Sequence, residues 1–225
     1  AEEDEVPTKL KNNKFVSLIY PVTDFLGTVP GYREYDISGW FLLFFCIFFG
    51  MIFGDAGYGV LLLLTGVVAV SVSMIKGKKP SPIIVLLCFL GLSTLLWGTI
   101  TCTWFGLDVS ILPKFFIDIS FTPLSNANPD KTALTQNIKI FCFSLALIQL
   151  SVAHIKGIIH NRKTVKSLGE LGSLLMLWGI FYIVLYIVVD KQRFAMDLNL
   201  FGIPISNIVL PVIGGGFFLN FVFIN

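Results

Sequence analysis

Apolar residues fill this chain in long blocks, separated by short polar or basic turns. The first block runs from about 37 to 75 and is interrupted most sharply at Gly54-Asp55-Ala56-Gly57. As a single helix rising about 1.5 Å per residue it would measure nearly 60 Å, about twice the hydrocarbon core of a bilayer. It must fold back. Gly54 is suited to end one helix and Asp55 to cap the next, which predicts spans near 37–54 and 56–75. After the basic turn Lys76-Gly77-Lys78-Lys79-Pro80, a third span is predicted over 82–105. Its Gly91 and Gly98 are spaced to share one face, where a neighbouring helix can come close. A polar stretch, 106–136, contains Pro113, Pro123 and Pro129, and its part 112–121 is amphiphilic enough to lie at the interface. Three further spans are predicted over 137–159, 168–189 and 205–225. Ahead of them all, residues 1–36 form a polar lead-in in which Pro7, Pro21 and Pro30 block long helices. Phe15, Val16, Leu18 and Ile19 there suit a short amphipathic segment on the membrane surface.

Composition agrees with that pattern. The 225 residues are 55% hydrophobic and 13% charged, with a mean hydropathy of +0.83; a soluble domain carries roughly 25% charged residues. Segments this long are helices, and the short alternating strands of a membrane barrel are missing. The expected fold is all-α and polytopic, with about six crossings over 37–225. Basic residues set the orientation. Lys9, Lys11, Lys14, Arg33, Lys76, Lys78, Lys79, Lys156, Arg162, Lys163 and Lys166 fall on one side, against Lys114, Lys131, Lys139, Lys191 and Arg193 on the other. The first side is then cytoplasmic, with the N-terminus on it. The opening Ala1-Glu2-Glu3-Asp4-Glu5 is acidic and is no signal peptide; a domain upstream of it is expected.

Several chemistries are excluded. No basic stripe interleaved with aromatics points to nucleic acid. Cys46, Cys88, Cys102 and Cys142 lie in apolar runs without CxxC spacing, so they read as small buried hydrophobes, not as disulfides or metal ligands. There is no Walker sequence, HExxH or GxSxG. No catalytic residue, cofactor or metal is expected.

A few polar groups inside the apolar blocks remain, and these are the candidate sites. Asp55 has two readings that can coexist: a cap satisfying free amides at a membrane face, or a group lining an external aqueous access path. Gly54, Gly57 and Gly59 suit tight turning and close packing. His154 sits near the cytoplasmic end of the fourth span; a hydrogen-bonded packing histidine is the plainer reading. Lys156 is placed to snorkel to the headgroups. Glu170 opens the fifth span, within reach of Lys156 or Lys166, and with His154 is a candidate for a cytoplasmic ion path. Glu34 and Asp36 suit the capping of the first span.

The run Gly50-Met51-Ile52-Phe53-Gly54-Asp55-Ala56-Gly57-Tyr58-Gly59 resembles the first membrane hairpin of the stator subunit of rotary V-type ATPases, called subunit a or subunit I. Flanking stretches are similar in the same order: Pro7-Thr8-Lys9-Leu10-Lys11-Asn12-Asn13-Lys14-Phe15, Pro30-Gly31-Tyr32-Arg33-Glu34-Tyr35-Asp36, Trp97-Gly98 through Trp104-Phe105-Gly106, and Ile148-Gln149-Leu150-Ser151-Val152-Ala153-His154-Ile155-Lys156-Gly157. The resemblance implies a non-catalytic membrane subunit that helps to form a proton or sodium path beside a rotor ring of proteolipid subunits. It also implies a cytoplasmic N-terminal domain that meets the peripheral stalks. It implies about eight crossings, the penultimate carrying an arginine that faces the ring. Arg33, Arg162 and Arg193 do not match that arginine, which is expected outside these residues. A bacterial or archaeal plasma membrane is the expected location. A secondary transporter or channel, and a non-transporting anchor or assembly protein, are the competing readings.

Overall fold

The computed structural model describes residues 11–28, 36–200 and 202–223. Residues 1–10 and 29–35 of the lead-in, including Arg33 and Glu34, lie outside them. The described residues are mostly helical, and the chain divides into two compact units, Ala1–Pro129 and Asp130–Asn225. Among the described residues, five helices are long and apolar enough to cross a bilayer. A sixth apolar helix, Ser38–Phe53, has 16 residues, about one turn short of the usual ~20.

In the first unit a 3-10 turn, Val16–Ile19, leads into α1 (Tyr20–Leu26), which Gly27 ends in a left-handed conformation. Three long helices follow: α2 (Ser38–Phe53), α3 (Ala56–Ile75) and α4 (Pro82–Ile100). Asp36 receives the Ser38 amide at the start of α2, 2.8 Å away. Glycines decide how the three pack. Gly98 lies against Ala56, Gly59 against Leu95, Gly91 against Leu63 and Gly66 against Cys88. These pairings run in opposite directions along the chain, so α3 and α4 are antiparallel with their backbones in close contact. Gly50 of α2 meets Ser93 of α4, and Leu42 shares a buried cluster with Leu86 and Leu90. α2 and α4 are therefore parallel, and α2 and α3 do double back. They meet mainly at their junction, however, and α4 is the helix that packs along both. Beyond the junction α2 and α3 leave an open apolar groove lined by Ile52, Phe53, Tyr58, Leu61, Leu62 and Thr65.

α4 stops at Ile100, short of the 105 that hydropathy suggests. Cys102 and Phe105 take left-handed φ values of 54° and 51°, which no helix accommodates. The following loop, with the short α5 (Lys114–Asp118) in it, is sewn onto the end of α4. Phe121 N–H donates to the Ile100 carbonyl (3.0 Å) and Asn126 N–H to that of Thr101 (2.8 Å).

The second unit opens with α6 (Lys131–His160), 30 residues long. It begins about two turns earlier than the apolar pattern, because Asp130 caps it by accepting from the Thr132 and Ala133 amides at 3.0 and 2.9 Å. α7 (Lys166–Val184) widens into a π turn, Leu185–Val189. A two-residue antiparallel ribbon pairs β1 (Asn199–Leu200) with β2 (Ile203–Pro204), and α8 (Ser206–Phe223) ends the described chain, with Pro211 inside it. α7 packs between α6 and α8. Gly172 and Gly216 let α7 and α8 touch backbone to backbone.

Candidate functional site

Asp55 is 6% exposed and caps α3 from an extended conformation. Its Oδ1 accepts from the amides of Gly57 (2.8 Å), Tyr58 (3.2 Å) and Phe105 (2.9 Å); its Oδ2 accepts from Gly106 (2.9 Å). The first two amides are orphan donors of the new helix. The other two belong to consecutive left-handed residues, Phe105 and Gly106, whose N–H groups converge into an anion-binding nest. The anion in that nest is supplied by the chain itself. Holding Phe105 left-handed costs roughly 1–2 kcal/mol, and the amide bond to Asp55 offsets it. The Phe105 ring covers Gly57, where a Cβ would come within 2.5 Å of it, and meets Tyr58 edge-on at 5.6 Å. Ala56 N–H completes the staple by donating to the Thr103 carbonyl at 2.8 Å. Gly54 (φ 64°) turns the chain between α2 and Asp55. Asp55, Gly54, Gly57 and Gly59 thus belong to one structural knot that binds the α2–α3 junction to the end of α4.

A second polar cluster lies in the other unit. His154 Nδ1 and Glu170 Oε2 are 2.9 Å apart, with side chains 30% and 25% exposed. An ionised carboxylate only accepts hydrogen bonds, so beside one the Nδ1–H donates. Room for the carboxyl group is made by Gly157, one turn beyond His154; a Cβ there would lie 2.8 Å from Glu170 Cδ. The pair sits about 6–9 Å in from the ends of its helices at ~1.5 Å per residue. The seam continues on both faces of α7. Trp178 Nε1 donates to Ser151 Oγ at 3.1 Å, and Asn220 Nδ2 of α8 donates to Ser173 Oγ. From sequence, Ser173, Trp178 and Asn220 carry no mark; what was readable is that Glu170 and Ser173 are one turn apart on a glycine-rich face.

Asp190 lies just past the π turn. Its Oδ1 accepts from the amides of Gln192 (2.7 Å) and Arg193 (3.0 Å), and its Oδ2 from Gln136 Nε2 of α6 (2.7 Å). The Arg193 amide first, then that of Gln192, holds this carboxyl below its ordinary 3.8. Because the folded state binds the proton less tightly, the stabilisation is complete above 3.8 and is lost as pH falls from there through the folded value. Unfolding midpoints followed on the acid side will fall less steeply for Asp190→Asn than for the wild type. Equal slopes would remove the clamp from the account.

Among the described residues no group of three or more His, Cys, Asp or Glu side chains could hold a metal ion. Comparison with known proteins gives a consistent result. The chain is 41% identical to V-type ATP synthase subunit I 1 of Treponema pallidum, over 99% of this chain and 34% of that protein. It is 37% identical to V-type ATP synthase subunit I of Borreliella burgdorferi, over 99% of this chain and 35% of that protein. A-type ATP synthase subunit I of Archaeoglobus fulgidus matches at 47% identity over 27% of this chain and 9% of its own length. The chain therefore spans about a third of the length of the two relatives that match it throughout. No family model matches it, and no solved structure does.

Proposed function

The chain is a membrane portion of the V-type ATP synthase subunit I family, and from that premise we propose that it serves as stator scaffold beside a rotating proteolipid ring. It is an integral membrane protein, and its bacterial relatives make the plasma membrane its location. The observation that carries the proposal is the end-to-end match to two subunit I proteins at 41% and 37% identity. In the proposed role it hydrolyses no nucleotide. It works within a complex whose other parts make or consume ATP, and its partners are the ring and, through the rest of the subunit, the peripheral stalks.

The physical logic is electrostatic. A ring carboxylate must be neutral against lipid and can ionise only beside a polar, hydrated stator. His154 and Glu170 are the groups we assign to a path of that kind. The reading is supported by their half-burial, by the 2.9 Å contact between them and by the hydroxyl, indole and amide groups that bond along α7. Asp55 is assigned to holding the fold, because both its carboxylate oxygens accept from backbone amides.

Co-purification tests the first part: the intact subunit should bring down a proteolipid ring and ATP-hydrolysing subunits, and its failure to do so would remove the stator reading. The second part is tested by Glu170→Gln, His154→Ala and Gly157→Ala in assembled complexes. Gly157→Ala evicts the Glu170 carboxyl without changing any titratable group. All three should cut ion flux per complex about a hundredfold or more, in the range seen when a proton-transfer group is lost. Normal flux in all three, with normal subunit content, rejects the path assignment.

A further inference from the structure

The end of the first unit where α2 and α4 begin and α3 ends carries a feature unrelated to the His154–Glu170 seam. Leu18 and Ile19 of the 3-10 turn are buried in one cluster with Leu42, Leu86 and Leu90, and Phe15 packs edge-on against Phe89 at 5.2 Å. Those α4 residues lie four to eight positions beyond Pro82, about 6–12 Å inside the start of the helix at ~1.5 Å per residue. The depth at which amphipathic interfacial helices settle is about 5–10 Å. The segment is thus pinned alongside the helix bundle at headgroup–acyl level, below the turn joining α3 to α4. Its inner face is consumed by the cluster. Phe25, 88% exposed, and Leu26, 53% exposed, project from the end of α1 beside the exposed Asp24. Trp40, an interface-favouring side chain, is exposed one turn into α2.

Charge is distributed to match. Lys76, Lys78 and Lys79 stand exposed on the turn above, and Lys11 and Lys14 are exposed on the approach to the 3-10 turn. Asn12 bonds to Asp36, which also caps α2, and this fixes the approach at the same end. Against these five lysines the described acidic residues here are Asp36 and the exposed Asp24. Clusters of four to eight cations next to a membrane helix attract anionic headgroups, by about 1 kcal/mol, or roughly fivefold, per cation.

We infer that this collar, α1 with its 3-10 turn beneath the Lys76–Lys79 loop, is a binding surface for anionic phospholipid. Phe25 and Leu26 enter the acyl boundary, and the lysines engage the phosphates above them.

Two measurements test it on the full chain in bilayers. In the first, a nitroxide is placed by Phe25→Cys, with the four native cysteines replaced by alanine. It should be relaxed by oxygen, which concentrates in lipid, and shielded from a water-soluble nickel reagent. Relaxation by the aqueous reagent overturns the proposal, and so does shielding from both reagents, which would mean that protein covers α1. The second keeps the native cysteines. Phosphatidylglycerol should be enriched over phosphatidylcholine in the lipid retained by the wild type from a mixed bilayer. K76Q/K78Q/K79Q should lose roughly tenfold or more of that preference. An unchanged preference overturns the proposal even where the labelled variant fails to fold.

Discussion

Asp55→Ala is expected to unfold the first unit under conditions where the wild type is stable in mild detergent. The alanine leaves the amides of Gly57, Tyr58, Phe105 and Gly106 without an acceptor in a site that is 6% exposed. An unsatisfied buried donor costs roughly 1–3 kcal/mol. Even with some water entering at the loop, the four together should remove about 4 kcal/mol or more. Phe105 would also lose the bond that offsets its left-handed backbone. Asp55→Asn should fall between, since its oxygen can keep the three bonds now made to Oδ1 while its NH₂ faces the Gly106 N–H. Chemical unfolding monitored by tryptophan fluorescence orders the three proteins. An alanine variant within about 0.5 kcal/mol of wild type, the range of an unremarkable surface change, would show that the knot is not needed. A flux deficit in stable, fully assembled Asp55→Asn complexes would give the carboxylate a direct place in the ion path.

Much of this was legible in the sequence, for physical reasons that differ from part to part. The fold class follows from bilayer thickness, because only helices satisfy their backbone groups along runs of that length. Gly54-Asp55 could be located because a chain folding back must interrupt its apolar run with a turn former and a cap. What Asp55 binds could not be read. Phe105 and Gly106 lie 50 and 51 residues away, and nothing in the hydropathy of 101–106 separates the last turn of a helix from a left-handed nest. The same blindness placed the end of α4 too late. The start of α6 was placed too late for the opposite reason: Lys131, Thr135 and Gln136 read as loop, yet a helix capped by Asp130 carries polar residues there without strain.

In the second unit the candidates themselves were visible, because an ionisable residue in an apolar block is conspicuous. Their pairing was not. Glu170 was within sequence reach of Lys156 and Lys166, but its partner at hydrogen-bond distance is His154. The deciding residue is Gly157, which lets the carboxyl group lie against α6. A glycine in the last turn of a helix gives no indication of which side chain it admits. Asn220 is similar. Its role depends on how α8 packs against α7, which Gly172 and Gly216 set from both sides.

The α3–α4 contact makes the second large effect, and Gly98→Ala is the change that exposes it. A Cβ at Gly98 would stand 2.0 Å from the Ala56 nitrogen, 2.6 Å from the Asp55 carbonyl carbon and 2.7 Å from Ala56 Cα. All three are backbone atoms, so no side chain can rotate away. To relieve the clash the start of α3 must move by more than 1 Å, an ordinary contact being about 3.5–4.0 Å. That movement pulls Ala56 N–H from the Thr103 carbonyl and Asp55 from the nest. Overpacking usually costs 1–3 kcal/mol; with the knot broken as well, a loss of about 3 kcal/mol or more is expected. Gly214→Ala and Gly215→Ala are the controls, since a Cβ at either meets nothing within 4 Å. Helix propensity alone then operates, and each should be neutral or stabilising by up to about 1 kcal/mol. If Gly98→Ala behaved like these two, the close approach of α3 and α4 would be wrong. Combining Gly98→Ala with Asp55→Ala separates the knot from simple crowding. Both changes strike the same bonds, so their joint loss should fall short of the sum by a coupling of about 1 kcal/mol or more; strictly additive losses would mean that the carboxylate and the glycine act independently.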